Sequence, residues 1–256
     1  MPHHSGEETG STARSGVLSD LGVEYPIFGF SHSVDVVVEV CLRGGVGIYG
    51  ATRRRPEEIT AELAEIRRRV GSRAFGVDLV LPRGMPEADD RDAIEAQIPA
   101  GHRDFVRSLA ERYGVPAPTG PGDRSRFVRS EQSAGAQIEA VLGSDVNIFA
   151  MGIGSPVDAV RRARAEGKVI VSLVGKPDHA RRALDAGADL LVAQGFDAGA
   201  HTGTIGTFSL VPQVVDVAGA VPVLAAGGVS TGRHVAASLA LGAAGVWIGT
   251  AWLFTR

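Results

Sequence analysis

From Glu24 onward the chain alternates short, continuous apolar runs with amphipathic stretches, and this alternation constrains the fold more than any single motif. The runs are "EYPIFGF", "GVGIYG", "FGVDLVL", "VNIFAMGI", "KVIVSLVG", "DLLVAQG", "VPVLAAGG" and "GVWIGTAWLF", eight in all. They are rich in Val and Ile, the composition of parallel strands buried on both faces. Between them lie helical patterns. "RPEEITAELAEIRRRV" places Ile59, Leu63, Ile66 and Val70 along one stripe behind Pro56. "SPVDAVRRARAEG" offers Ser155 as N-cap, Pro156 at the first helical position and a closing glycine. "KPDHARRALDAGA", "TFSLVPQVVDVAGA" and "STGRHVAASLALGA" continue the pattern. A β-then-α alternation repeated eight times predicts an α/β fold, the (β/α)8 TIM barrel. A doubly wound sheet is the alternative, because counting strands does not prove closure.

Three segments depart from the repeat. Residues 1–22 are polar and rich in small residues, and read as a disordered N-terminal tail before a barrel spanning 23–256. Residues 82–128 form an acidic, proline-punctuated insertion after the third strand, with a helix near 101–113. It emerges on the face where barrel active sites lie, and reads equally as a lid or as a surface excursion. "RSEQSAGAQIEAVLGSD" then completes the third unit. The sequence stops at "TAWLFTR", with no eighth helix, which reads as a C-terminal truncation leaving an apolar flank.

Composition narrows the function classes. A net charge of −3 gives no sign of a polyanion partner, and the arginines of "TRRRP" and "EIRRRV" sit among acids at helical spacing, as on a solvated helix face. Nucleic acid is therefore not an expected partner. The single cysteine, Cys41, allows neither an internal disulfide nor a Cys-based metal site, and reads as a small buried hydrophobe. No apolar stretch reaches the roughly 18 residues of a membrane span, and no signal-peptide pattern opens the chain. A cytoplasmic protein with no membrane partner is expected.

Candidate chemistry gathers at the ends of the runs. In a TIM barrel, ligand groups sit at the C-terminal ends of strands, and phosphate commonly binds after strands 7 and 8. Gly227 and Gly228 end the seventh run and Gly249 the eighth. Without a Cβ, their backbone N–H groups can approach an anion. Thr250 adds a hydroxyl, and a helix starting near Ser230 aims its positive end at the same place. A phosphate-bearing ligand is predicted. Of the seven histidines, His3 and His4 lie in the tail, His102 in the insertion, and His179 and His234 in helical stretches. Only His32 and His201 fall at strand ends. An imidazole, with a pKa near 6.5, suits proton abstraction at neutral pH. His201, in the glycine-rich "AQGFDAGAHTG", is the candidate catalytic or substrate-orienting residue. His32 reads equally as a second site group or as a hydrogen-bonding residue of the barrel mouth.

These residues also carry a resemblance. "AQGFDAGAHTG…LVPQVVDVAGAVPVLAAGGVSTGRHVAASLALGAAGVWIGTAWLF" resembles the nitronate monooxygenase family, once called 2-nitropropane dioxygenases, which are FMN-dependent TIM barrels. The likeness runs over most of the chain from Tyr25 and is most specific from Gly187. It implies that the phosphate of FMN sits on Gly227, Gly228 and the backbone of Trp247, Ile248, Gly249 and Thr250. It also implies flavin contacts at Gln194 and Gly199, and at Asp78, where the family usually has Asn. Phe30 and Ser31, in "GFSH", stand where the family has Ala-Pro-Met under the flavin. His201 matches the histidine of the family's "AGGH", with Ala200 in place of the second glycine. Ser172 stands where some members carry lysine. The implied activity is FMN-dependent oxidation of alkyl nitronates or nitroalkanes by O2, without a metal. The alternatives are an FMN- and NAD(P)H-dependent enoyl-thioester reductase and a truncated, non-catalytic flavin-binding barrel. The expected partners are a small-molecule substrate and O2, with self-association as a homodimer left open.

Overall fold

A computed structural model describes residues 16–88, 90–117, 119–120 and 129–255, apart from the Arg91 side chain. Each of the eight apolar runs forms a parallel strand hydrogen-bonded to the next, and the last returns to the first. The chain begins with α1 (Gly16–Asp20), β1 (Ile27–Ser31), α2 (Val34–Leu42), β2 (Val46–Gly50), α3 (Pro56–Val70) and β3 (Phe75–Val80). Then come α4 (Arg91–Ala96), α5 (Ala100–Tyr113), α6 (Glu131–Leu142), β4 (Ile148–Gly152), α7 (Val157–Ala165) and β5 (Val169–Val174). The third part runs α8 (Pro177–Asp185), β6 (Leu190–Gln194), α9 (Thr207–Ala218), β7 (Val223–Ala226), α10 (Gly232–Ala240) and β8 (Gly245–Ile248). A 3-10 turn, Thr250–Phe254, follows β8. Closure is set by β1 against β8, with Ile27 opposite Val246 and Gly29 opposite Ile248. That pairing makes the fold a TIM barrel and excludes the doubly wound sheet.

Two apolar layers explain why the strands read as continuous rather than alternating runs. Phe28, Val46, Ile48, Ile148, Val171, Leu190, Val192, Leu224 and Trp247 fill the barrel interior. Their alternates pack outward against the helices, and both sets leave water. The stripe Ile59, Leu63, Ile66 and Val70 is fully buried against this outer side. Cys41, on the buried face of α2, accepts the Gly47 N–H with its Sγ at 3.2 Å. The α2–β2 contact is close enough that a Cβ on Gly47 would lie 2.2 Å from the Val37 carbonyl oxygen. Only glycine fits there.

Several local expectations change. Residues 16–20, read as part of the disordered tail, form α1, and Leu18, Leu21 and Val23 pack against the interior cluster. Residues 1–15 of that tail lie outside the described residues. Pro156 is the N-cap of α7 rather than its first helical residue, which leaves the Ser155 hydroxyl to bond Ser172 Oγ at 3.1 Å. Arg67 is not a solvated member of its run. Its guanidinium donates to the carbonyls of Gly71, Arg73 and Asp145 and to Asn147 Oδ1, and lies 4.7 Å over the Phe75 ring. Arg54 likewise turns inward, donating to Tyr49 Oη at 2.8 Å beside Glu62. A planar fork with five donors is suited to stitching loop carbonyls together, which hydropathy patterning does not register. The segment after β3 carries α4 and α5, and α5 buries none of its residues.

Candidate active site at the barrel mouth

Strand parity decides which side chains reach the mouth, because successive residues point to opposite faces. Val77 and Leu79 pack in the outer layer, so Asp78 between them faces the interior. Val192 is inside and Ala193 outside, so Gln194 at the end of β6 also faces inward. Phe30 and Trp247 belong to the interior, whereas Ile248 packs outward. The Ile248 carbonyl accepts the Trp252 indole N–H at 2.7 Å, so the 3-10 turn is tied back onto β8.

Aromatic rings floor the mouth. Trp247 stacks on Phe30 at 6.0 Å and on Phe28 at 6.5 Å. Phe30 meets His32 edge-on at 5.2 Å. His32 Nδ1 lies 2.7 Å from the Gly50 carbonyl oxygen. A carbonyl can only accept, so Nδ1 carries the proton and His32 ties the rim of β1 to β2. Of its two readings, the hydrogen-bonding one describes this geometry. Ser31 Oγ accepts the Ser33 N–H at 3.1 Å and serves the turn into α2.

Asp78 is the electrostatic anomaly of the floor. It is 5% exposed, and its Oδ1 has no hydrogen-bond partner among the described residues. Burial pushes its carboxyl up to about 7, against the pull of the Arg129 guanidinium. Arg129 does not form a close ion pair with it. Its guanidinium donates instead to the Val80 carbonyl, and burial lowers its own pKa. No sequence motif singles out Arg129, and its proximity to Asp78 comes only from the path of the chain back to α6.

The glycine rim divides into two kinds of position. Gly227 has φ +106°, and a Cβ there would lie 2.5 Å from Thr207 Oγ1, so its constraint is internal packing. Gly228 has φ +72°, yet a Cβ would meet only Asp197 Cβ, at 3.5 Å. Its constraint is conformational, and its backbone stays approachable. A Cβ at Gly249 would meet nothing nearer than Phe30 Cδ1 at 3.5 Å, and Thr250 is exposed. The Ser230 N–H, at the entrance to α10, donates to His234 Nδ1 at 3.2 Å. His234 is exposed as its helical position implied, but it also ties the turn before α10 to that helix, a role its spacing did not reveal.

The loop from 195 to 206 closes the circle. Its base is pinned by the Phe196 N–H to the Ile205 carbonyl at 2.9 Å. Asp197 Oδ2 accepts the Thr207 N–H at 2.7 Å, which holds the Asp197 carboxyl below its ordinary value. Gly203 lies so near the end of β5 that a Cβ would come within 2.6 Å of the Gly175 carbonyl oxygen. Gly199 approaches the other flank, 2.6 Å on the same measure from Thr250 Oγ1. His201 lies between these two contacts, exposed. The loop thus spans from the rim of β5 to that of β8, near the glycine cluster. Among the described residues no cluster of His, Cys, Asp or Glu could hold a metal, and no helix is long and apolar enough to cross a membrane.

A closed parallel barrel with its polar and glycine positions collected at the C-terminal ends of the strands is the architecture of the TIM-barrel enzymes. Within that class the sequence is specific: the nitronate monooxygenase family description matches residues 20–256, and the chain belongs to that family of flavin-dependent oxidoreductases. A Mycobacterium tuberculosis protein named as a monooxygenase is 43% identical, over 95% of this chain and 67% of its own length. A Staphylococcus aureus protein named as a nitronate monooxygenase is 32% identical, over 92% of this chain and 66% of its own. The solved structure of nitroalkane oxidase from Streptomyces ansochromogenes superposes with a TM-score of 0.74 at 28% identity, covering 93% of this chain and 68% of that one. The chain spans about two thirds of the length of the relatives it matches.

Proposed function

We propose that the chain works as an FMN enzyme that oxidises alkyl nitronates and nitroalkanes with O2. The observation that carries this reading is the joint fit of the mouth to that cofactor. The Phe30–Trp247 stack suits a flat, largely apolar ring system. The left-handed backbone at Gly228, the open Gly249 and the start of α10 suit a phosphate dianion. The carboxyl of Asp78 and the side chain of Gln194, both facing the interior, offer polar groups to the ring edge. FMN, when bound, supplies electron transfer from substrate to O2.

The work of this chain's own residues is positional and acid–base. His201 takes the proton from the carbon bearing the nitro group of a neutral nitroalkane. The resulting imidazolium then hydrogen-bonds the anionic oxygens of the nitronate, whereas a nitronate that arrives preformed transfers no proton and needs only a ring N–H donor from His201. Close backbone contacts at Gly199 and Gly203 hold the loop that brings His201 to the mouth. The aromatic floor keeps water from beneath the reacting atoms.

The visible spectrum of the purified protein, recorded before and after nitronate and then NADPH, tests the reading. Flavin absorbance that bleaches anaerobically with nitronate and returns with air supports it. Bleaching by NADPH, with turnover of an enoyl thioester instead, replaces it with the reductase. A protein that neither carries nor takes up FMN overturns the flavin reading.

A further inference from the structure

We propose that Asp78 binds the flavin as a neutral carboxylic acid, so that the site takes up a proton with its cofactor and loosens its hold as pH rises. This rests on the flavin reading above. The argument starts from geometry. Asp78 faces the barrel interior near the end of β3, is 5% exposed, and has an oxygen with no donor in reach among the described residues. A carboxylate in that position lacks the N–H groups that normally hold a buried anion, whereas a carboxylic acid brings its own donor.

Among the described neighbours one group brings a compensating charge, and it does not outweigh burial. On β2 the register partner of Asp78 is Gly50, whose carbonyl is held by His32. On β4 the partner is Ala150, with Met151 and Gly152 beyond, none of them titratable. From the segment before α6 comes Arg129, whose guanidinium donates to the Val80 carbonyl, keeps its charge and pulls the carboxyl down without offsetting its burial. The carboxyl accordingly titrates near 7 rather than in the ordinary carboxylate range.

A ring system laid over the mouth removes the water that remains, and disfavours the charged form further. The carboxyl pKa therefore rises when the flavin binds. By reciprocity, flavin affinity falls as pH climbs from the ligand-free pKa toward the bound one. Below about pH 7 the acid is already neutral and contributes no pH dependence. Above it, affinity falls by up to about tenfold per pH unit.

The test compares FMN binding by the wild-type chain and Asp78→Asn between about pH 6 and 9, with Asp78→Ala as a second neutral variant. Circular dichroism checks that each variant is folded. The FMN phosphate also titrates near this range, and the ratio of wild type to variant removes every contribution the proteins share. Riboflavin repeats the measurement without a phosphate. The expected result is a wild-type affinity that falls above pH 7 relative to both variants. Calorimetry in two buffers should show an excess proton uptake approaching one per FMN at the alkaline end. Identical pH profiles in all three proteins overturn the inference and leave the flavin reading standing, as does a wild-type affinity that rises with pH relative to the variants. Failure of every protein to bind FMN at any pH overturns the flavin reading and the inference with it.

Discussion

Asp78 also leaves a mark on the folded chain itself. Its unfolded carboxyl ionises near 3.8 and its folded one near 7. Between those values the native state holds more protons than the unfolded state, so stability falls as pH rises through this window. Above about pH 7 the penalty is constant, and at about 1.4 kcal/mol per pKa unit it amounts to a few kcal/mol. Asp78→Asn should therefore melt at a higher temperature than wild type at about pH 8, with the advantage shrinking toward pH 4. An equal or lower melting temperature at pH 8 would refute this. At the rim, Gly228→Val should keep the fold at a strain cost of about 1–3 kcal/mol and lose flavin retention. Gly227→Ala, facing Thr207 Oγ1, should destabilise the protein instead. Melting curves and flavin content measured together separate the two glycines, and a Gly228→Val protein with its full complement of FMN moves the phosphate elsewhere. His201→Asn should retain FMN, yet turn over neutral nitroalkanes some 10²–10⁴-fold more slowly while sparing preformed nitronate. Undiminished rates on both substrates would remove His201 from the chemistry.

Elements were legible where burial alone decides them. The stripe on α3 and the apolar runs are dictated by hydrophobic periodicity, and the structure buries those residues. Polar side chains were legible only where glycine spacing or strand ends marked them. The inward turn of Arg67, the bond from Arg129 to the Val80 carbonyl and the isolation of Asp78 all depend on groups far apart in sequence. Local pattern carries no record of such meetings. Arg67 bridges α3 to the turns before β3 and β4. Arg67→Ala should cost about 2 kcal/mol, since several hydrogen bonds of roughly 0.5–1.5 kcal/mol each are lost and only partly replaced by water. Arg67→Lys should recover little, because an ammonium cannot reach the same carbonyls as a planar fork. Denaturant midpoints measure both, and a lysine variant as stable as wild type would show that charge rather than shape is what matters.

For the molecule as a whole, a cofactor that binds only the closed barrel must stabilise it by mass action. FMN at about 100 times its dissociation constant should add about 2.7 kcal/mol, a rise of roughly 5–10 °C in melting temperature for a chain of this size. A melting point indifferent to FMN across that range contradicts the proposed site. The interior cluster and the side chains beneath it carry a last consequence. Phe28, Ile48, Val192 and Trp247 fill the barrel, and Leu18, Leu21 and Val23 pack against that filling near the start of β1. The barrel is a cup and not a pipe. Among the described residues that filling shuts the way through, so whatever settles over the aromatic floor has to leave on the side it came from, and a spent molecule that lingers there stands in the path of the next.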